Sequence, residues 1–401
     1  MRVMISAGET SGDLHGAALV LAAKTLAPNL SFFGLGGERM AAAGVSLAAN
    51  LTETAVMGLT EVLGSLRRIL RVRKTLTDLL VSQKPQALVL IDSPDFNFYL
   101  AKKAQSLGIP VIYYICPQIW AWRAGRIKFL AKYCARRAVI FPFEKDYYES
   151  RGVAVDWVGH PLLDNPPPPS SQKAKALLGL DPAAPLLALL PGSRAALAKR
   201  LTPPFLAAAD LLLTEIPNLN LALPRAQSLD PNLLTSLIKA GPPRVLERLK
   251  VWSGQSTLVL AAAEGALLAS GTSTVEGTIL GTPMVVAYKT SRLTFFLAKL
   301  LTKVQYVALT NLLSPQKPLV KELLQNAVTP QNLAQGIRPF LVPGPLRAAA
   351  VADLLAAAKT LGSSGASAKV TQIILAEINR GANLNGPSQG LTIMGPKTLL
   401  Q

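Results

Sequence analysis

Val3-Met4-Ile5-Ser6-Ala7-Gly8-Glu9-Thr10-Ser11-Gly12-Asp13 decides the fold of this chain. Residues 3–6 form a short apolar run of the kind that makes a buried strand, and residues 17–26 carry apolar groups at helical spacing. Gly8 and Gly12 permit a tight strand-to-helix turn, and Thr10, Ser11 or Asp13 supplies a cap for the helix. A second stretch, Leu190-Pro191-Gly192-Ser193-Arg194, has the same form, with the buried run 186–190 ahead of it and a helical pattern behind. In an open α/β sheet such turns lie in the crevice beyond the carboxyl ends of the strands, where ligands bind. Two of them, far apart in sequence, predict two nucleotide-fold domains facing one cleft. That arrangement suits an enzyme joining a nucleotide-activated donor to an acceptor.

Strand and helix signals alternate outward from the first turn. Residues 3–7, 31–34, 87–92, 111–115, 138–141 and 156–158 read as strands, with helical patterns such as 98–105 between them. This order implies an α/β fold with a mainly parallel sheet covered on both faces. Asn165-Pro166-Pro167-Pro168-Pro169-Ser170-Ser171 then reads as a stiff, extended linker. It separates a first domain, 1–164, from a second, 172–340, whose strands lie near 186–190, 220–223, 249–252, 266–269 and 283–288. Helical sequence runs on to about residue 380, and 381–401, rich in Gly, Asn and Pro, reads as a disordered tail.

Half of the 401 residues are apolar, enough for two cores. Lys and Arg number 41 against 23 Asp and Glu, a net charge of +18 that attracts polyanions. Nucleic acid is set aside: the chain holds no recognisable binding module, and its basic residues are not interleaved with exposed aromatics. The charge instead gathers in two apolar segments. Residues 62–74 hold five basic residues and no acid, among them Leu66, Arg67, Arg68, Ile69, Leu70 and Val72; residues 292–303, with Phe295 and Phe296, are similar. Both read as amphipathic helices lying on an anionic membrane surface. No apolar run is long enough to span a bilayer, and the N-terminus enters a strand too early for a secretory signal. Cys116 and Cys134 form no CxxC or Cys/His cluster, as expected of buried thiols in a reducing compartment. A cytoplasmic protein follows.

Asp92 emerges at the end of the buried run 87–91 with no local structural explanation, and a carboxylate there is a candidate general base. Asp95, just ahead of a helical pattern, reads as an N-cap. Glu9 stands at a strand end, placed to contact an acceptor hydroxyl or orient a loop. In the second half, Ser193 and Arg194 offer a hydroxyl and a guanidinium to a diphosphate at a helix N-terminus. Ser270-Gly271-Thr272-Ser273-Thr274-Val275-Glu276 opens another helix after a strand; Gly271, Thr272 and Ser273 suit phosphate oxygens, and Glu276 a ribose diol. His15 reads as a packing or surface residue, and His160 takes no assigned role. No histidine pair has metal spacing, so no metal is expected. Walker A and GxGxxG patterns are missing, which disfavours ATP hydrolysis and nicotinamide or flavin chemistry. No cofactor is expected.

Taken together these pieces resemble the lipid-A-disaccharide synthase family. The matching segments run in family order: Gly8 to Asp13, Ala55-Val56-Met57-Gly58, Ile91 to Asn97, Pro117 to Arg123 (PQIWAWR), Pro142-Phe143-Glu144-Lys145, Val158-Gly159-His160, Leu190 to Arg194, Leu268 to Glu276, Tyr306 to Leu313 and Val320-Lys321-Glu322-Leu323. The resemblance implies a GT-B fold of two Rossmann-like domains, the first on the acceptor and membrane side and the second binding the UDP donor. It implies that C-terminal helices, about 345–380, cross back onto the first domain. It also implies inverting transfer of 2,3-diacylglucosamine from UDP to 2,3-diacylglucosamine 1-phosphate (lipid X), giving a β-1,6 disaccharide 1-phosphate and UDP, on the cytoplasmic side of the inner membrane. Asp92 matches the family's base, Glu9 its acceptor-side loop, and Ser193, Arg194 and Glu276 its UDP side. Asn311 matches a position near the donor, which in related enzymes comes from a swapped C-terminal segment in a homodimer. Leu197 departs from the family, which usually carries glutamate there. Another GT-B enzyme such as a UDP-sugar epimerase, or a non-catalytic membrane-surface binder, stands as the alternative.

Overall fold

Each buried run pairs as a parallel strand. The computed structural model describes residues 1–50, 62–302 and 305–385. The first sheet contains Arg2–Ala7 (β1), Ser31–Gly36 (β2), Ser46–Asn50 (β3), Ala87–Ile91 (β4), Val111–Tyr114 (β5), Arg136–Val139 (β6) and Asp156–Trp157 (β7), in the order β3-β2-β1-β4-β5-β6-β7. The second contains Leu186–Leu190 (β8), Asn220–Arg225 (β9), Leu249–Ser253 (β10), Gly265–Ala269 (β11), Met284–Tyr288 (β12) and Lys321–Leu324 (β13), in the order β10-β9-β8-β11-β12-β13. β4, β8 and β11 are buried along their whole length, which is why they read as unbroken apolar runs: helices cover both faces of a parallel sheet. The edge strands β3 and β13 escape a reading of the sequence because their exposure is mixed and no apolar run marks them.

Chain order reverses beside the first strand of each sheet. β1 lies between β2 and β4, and β8 between β9 and β11. These are the switch points where such sheets open a crevice. The loops after β1, β4, β8 and β11 carry the residues singled out above.

The C-terminal helices divide differently from the expectation. Pro345–Thr360 stays with the second domain, packing on the helix Thr272–Ile279, with Leu354 in that domain's core. Ala366–Asn385 alone crosses back, burying Val370 and Ile374 in the same core as Val3, Ile5 and Ala7. Asp164 fixes its start: the backbone N–H groups of Gly365, Ala366 and Ser367 donate to that carboxylate at 2.6, 3.0 and 2.8 Å. This helix runs into the segment 381–385, which the composition gave to the tail; the rest of the tail and the segment 55–58 lie outside the described residues.

Candidate active site

The chain makes an abrupt elbow as it leaves β4. Asp92 and Ser93 are both left-handed, each at φ 46°, a conformation costing roughly 1–3 kcal/mol per non-glycine residue. The Asp92 N–H donates to the Tyr114 carbonyl at 3.3 Å. Its own carbonyl accepts from Asn97 Nδ2 at 2.8 Å and from the Tyr113 hydroxyl at 2.7 Å. The loop after β1 packs against this elbow so closely that a Cβ on Gly8 would lie 2.5 Å from Ser93 Oγ. Gly8 is thus required by close approach.

Capping differs from the sequence expectation at both loops. Asp13 caps a neighbour, accepting from the N–H groups of Gly37, Arg39 and Met40 at the start of the helix Glu38–Ala42. The helix Thr10–Leu26 has Glu9 at its N-cap without a side-chain cap bond, leaving that carboxylate to reach outward. After β4, Pro94 takes the first helical position and Ser93 the N-cap of Pro94–Ser106. Asp95, two residues past the cap position, instead pairs with Arg126 and, at 3.2 Å, with Arg123.

Glu9 and Arg194 meet across the gap between the domains, Oε2 to Nη2 at 3.3 Å. With side chains 48% and 78% exposed, the pair adds little stability and is open to exchange. The Asp92 carboxyl lies in the field of both. Burial first, and then the negative charge of Glu9, push its pKa up to about 6, against the Ser93 N–H and Arg194, which pull it down. A carboxylate tuned toward neutrality at a cleft is suited to proton abstraction.

The second domain presents a different chemistry. Gly192 is left-handed at φ 104°, and Leu197 lies 2.9 Å from where its Cβ would stand. Leu197 also packs on the domain core, so an apolar group covers this turn. Arg194 opens the helix Ala195–Glu215, and Ser193 is exposed beside it. Gly271 opens Thr272–Ile279 with no side-chain cap; Thr272 is exposed and Ser273 partly so. Amides at such a terminus suit an anion.

Two donor-side candidates are already engaged. Glu276, expected to meet a ribose, accepts from Ser256 Oγ at 3.2 Å and from Thr257 Oγ1. Asn311, expected near the donor, is fully buried. Its Nδ2 donates to the Val320 carbonyl and to Glu322 Oε1, and its Oδ1 accepts from the N–H groups of Leu319 and Val320. With all four bonds spent, Asn311 braces the approach to β13.

Exposure along the helix Val62–Gln83 is uneven. Arg67 and Arg68 are exposed, Leu70 is 52% exposed and Ile69 half-buried. Val72 instead packs in the core beside Leu76 and Leu80, while the Leu66 side chain lies outside the described residues. On the helix Arg292–Leu301, Phe296 is 60% exposed and Phe295 partly buried. The aromatics absent from the sequence reading appear beside the elbow. Arg73 lies over Tyr99 and Phe96, each at 5.5 Å, and Arg123 over Trp122 at 4.3 Å. Tyr99 and Trp122 are exposed, forming a cation–aromatic shelf with the two guanidiniums.

Glu144 was legible only as part of a motif. It is buried, its pKa is pushed up to about 7 chiefly by that burial, and it accepts from the N–H groups of Ile140 and Phe141 and from Trp120 Nε1, all at 3.1 Å. His15 and His160 are buried too, edge to face at 6.5 Å, and desolvation depresses their pKa values to about 4 and about 3. Among the described residues no single helix is long and apolar enough to cross a membrane.

The family model described as lipid-A-disaccharide synthetase matches residues 3–345. The lipid-A-disaccharide synthase of Myxococcus xanthus is 40% identical over 377 residues, 93% of this chain and 97% of that one. That of Geobacter metallireducens is 42% identical over 376 residues, covering 93% and 96%. The chain belongs to the lipid-A-disaccharide synthase family. It is a glycosyltransferase of lipid A biosynthesis, with substrates of the UDP-sugar type. Solved structures agree on the fold alone. A UDP-GlcNAc 2-epimerase from Neisseria meningitidis bound to UDP-GlcNAc has a TM-score of 0.62 at 13% identity, covering 94% of this chain and all of that one. Acinetobacter baumannii MurG has a TM-score of 0.57 at 16% identity, covering 94% and 99%. The fold is GT-B, and nothing favours the epimerase or non-catalytic alternatives.

Proposed function

We propose that Asp92 is the general base of a single inverting displacement carried out between the two domains. Its carboxylate takes the proton of the 6-hydroxyl of 2,3-diacylglucosamine 1-phosphate. That oxygen attacks the anomeric carbon of UDP-2,3-diacylglucosamine from the face opposite UDP, and the bond to the diphosphate oxygen breaks with its electron pair leaving on UDP. Arg194, the hydroxyls of Ser193, Thr272 and Ser273, and the helix terminus at Gly271 receive that charge; preorganised donors of this kind are worth about 10²–10³ in rate each. Glu9 exchanges Arg194 for an acceptor hydroxyl when the diphosphate arrives. Glu276 meets the ribose through the carboxylate that Ser256 and Thr257 hold in place.

The first domain takes the acceptor and the second the donor. Arg67, Arg68, Ile69 and Leu70, the Tyr99 and Trp122 shelf, and Phe295 and Phe296 meet an anionic inner-membrane surface from the cytoplasmic side, so that acyl chains remain in lipid while sugars react. The helix Ala366–Asn385 docks on its own first domain; a homodimer exchanging that segment would make the same contacts in trans.

The observation that carries this reading is the placing of an acidic lip, Glu9 with Asp92, against Arg194 across one gap. Product analysis after mixing the protein with UDP-2,3-diacylglucosamine and lipid X tests it. A β-1,6 disaccharide 1-phosphate with one UDP released per product is expected. UDP release without a disaccharide, or equal use of unacylated UDP-N-acetylglucosamine, contradicts it.

A further inference from the structure

The Asp92 elbow is held by more polar contacts than a loop needs. Asn97, fully buried on the helix Pro94–Ser106, spends its whole amide there: Nδ2 donates to the carbonyls of Asp92 at 2.8 Å and Ile91 at 3.1 Å, and Oδ1 accepts from Ser6 Oγ at 2.7 Å. The two carbonyls, which can only accept, decide which way round the amide stands, and Ser6, on β1, satisfies its oxygen. Tyr113, on β5, adds its hydroxyl to the same Asp92 carbonyl. Burial, more than any neighbouring charge, keeps the Tyr113 phenol well above the ordinary tyrosine range, so it remains a donor at any working pH.

Both backbone polar groups of Asp92 are therefore tied inward, the N–H to β5 and the carbonyl to β5 and the following helix. Only the side chain is left to face the gap where Glu9 and Arg194 stand. An aspartate tolerates the left-handed region but does not demand it, so with the carbonyl untethered the residue can turn back toward extended backbone, taking its carboxylate with it.

We propose that Asn97 and Tyr113 are positioning residues for the transfer reaction, holding the Asp92 peptide left-handed so that its carboxylate is aimed at the acceptor oxygen, with Ser6 anchoring the Asn97 amide through its oxygen. The inference rests on the reading of Asp92 as the base. It adds that catalysis depends on two buried neutral groups that never touch substrate.

Tyr113→Phe removes one donor and little volume. Its kcat is expected to fall roughly tenfold, with KM for both substrates within about twofold of wild type. Asn97→Asp puts acceptors against two carbonyls; its kcat is expected to fall about 10²-fold, the scale of a misplaced reacting group. UDP affinity, measured by calorimetry, should stay at the wild-type value in both and reports an intact second domain. The deciding readout is the double variant: on an Asp92→Asn background, which has no base to aim, Tyr113→Phe should lower the residual rate by less than about twofold.

An equal fractional loss on both backgrounds overturns the proposal in favour of a purely structural role. So does a Tyr113→Phe enzyme with wild-type kcat, and so does a loss confined to KM. If Asp92→Asn itself keeps full turnover, the base assignment fails instead, and the two failures are told apart by that one variant.

Discussion

Asp92 is expensive for the fold and is the base of the proposed reaction, and pH bears on both. Its folded pKa, about 6, lies above the ordinary 3.8, so ionising it opposes folding. The stability this group allows is fully present below pH 3.8 and is lost as pH rises through about 6. Asp92→Asn should therefore raise the melting temperature at pH 8 and give a much smaller difference at pH 4.5, measured by scanning calorimetry. Turnover runs the other way. Only the ionised carboxylate accepts a proton, so wild-type kcat/KM should fall as pH drops below about 6; a profile flat from pH 5 to 8 contradicts the base assignment. The placement of Asp92 was legible because a buried apolar run ends on it. Its left-handed backbone was not, since glycine is the usual sign of that conformation and Asp92 and Ser93 are not glycines. The internal partners of Asn311 and Glu276 were not legible for a related reason: hydrogen bonds between distant segments leave no mark on a linear sequence.

At the scale of elements, the phase of a helix decides what it offers. The stripe along residues 62–74 looked continuous, yet Val72 turns into the core with Leu76 and Leu80 while Leu70 stays in water. The two positions should separate cleanly. Leu70→Ser combined with Arg67→Glu and Arg68→Glu should lower sedimentation with anionic vesicles by tenfold or more, at roughly 1 kcal/mol for each basic residue near the surface, without lowering the melting temperature. Val72→Ser should do the reverse, destabilising by about 1.5–3 kcal/mol and leaving vesicle affinity alone. Unchanged sedimentation of the triple variant would remove this helix from the membrane contact. The shelf of Tyr99 and Trp122 beneath Arg73 and Arg123 was hidden from a linear reading, because those residues come from three separate segments that only the first sheet brings together.

At the scale of the whole molecule, the two glycine-bearing turns forecast two open sheets, and both sheets have their switch points where the turns lie. What the resemblance assigned as one crossing unit, the helices of about 345–380, divides between the two domains. Pro345–Thr360 and Ala366–Asn385 are both apolar and helical, and only the Asp164 cap and the core beneath β1 show that the second crosses and the first does not. That crossing helix and the proline-rich linker join the halves, leaving an acidic lip, Glu9 with Asp92, on one domain and a lip with Arg194 and the helix terminus at Gly271 on the other. The account's central claim is that these lips carry separable duties in one displacement. Measuring UDP affinity and disaccharide turnover side by side in Asp92→Asn tests it most directly. Affinity within about twofold of wild type with turnover reduced about 10²–10⁴-fold is the result expected of a missing base; turnover close to wild type, or UDP affinity lost along with it, would contradict the account.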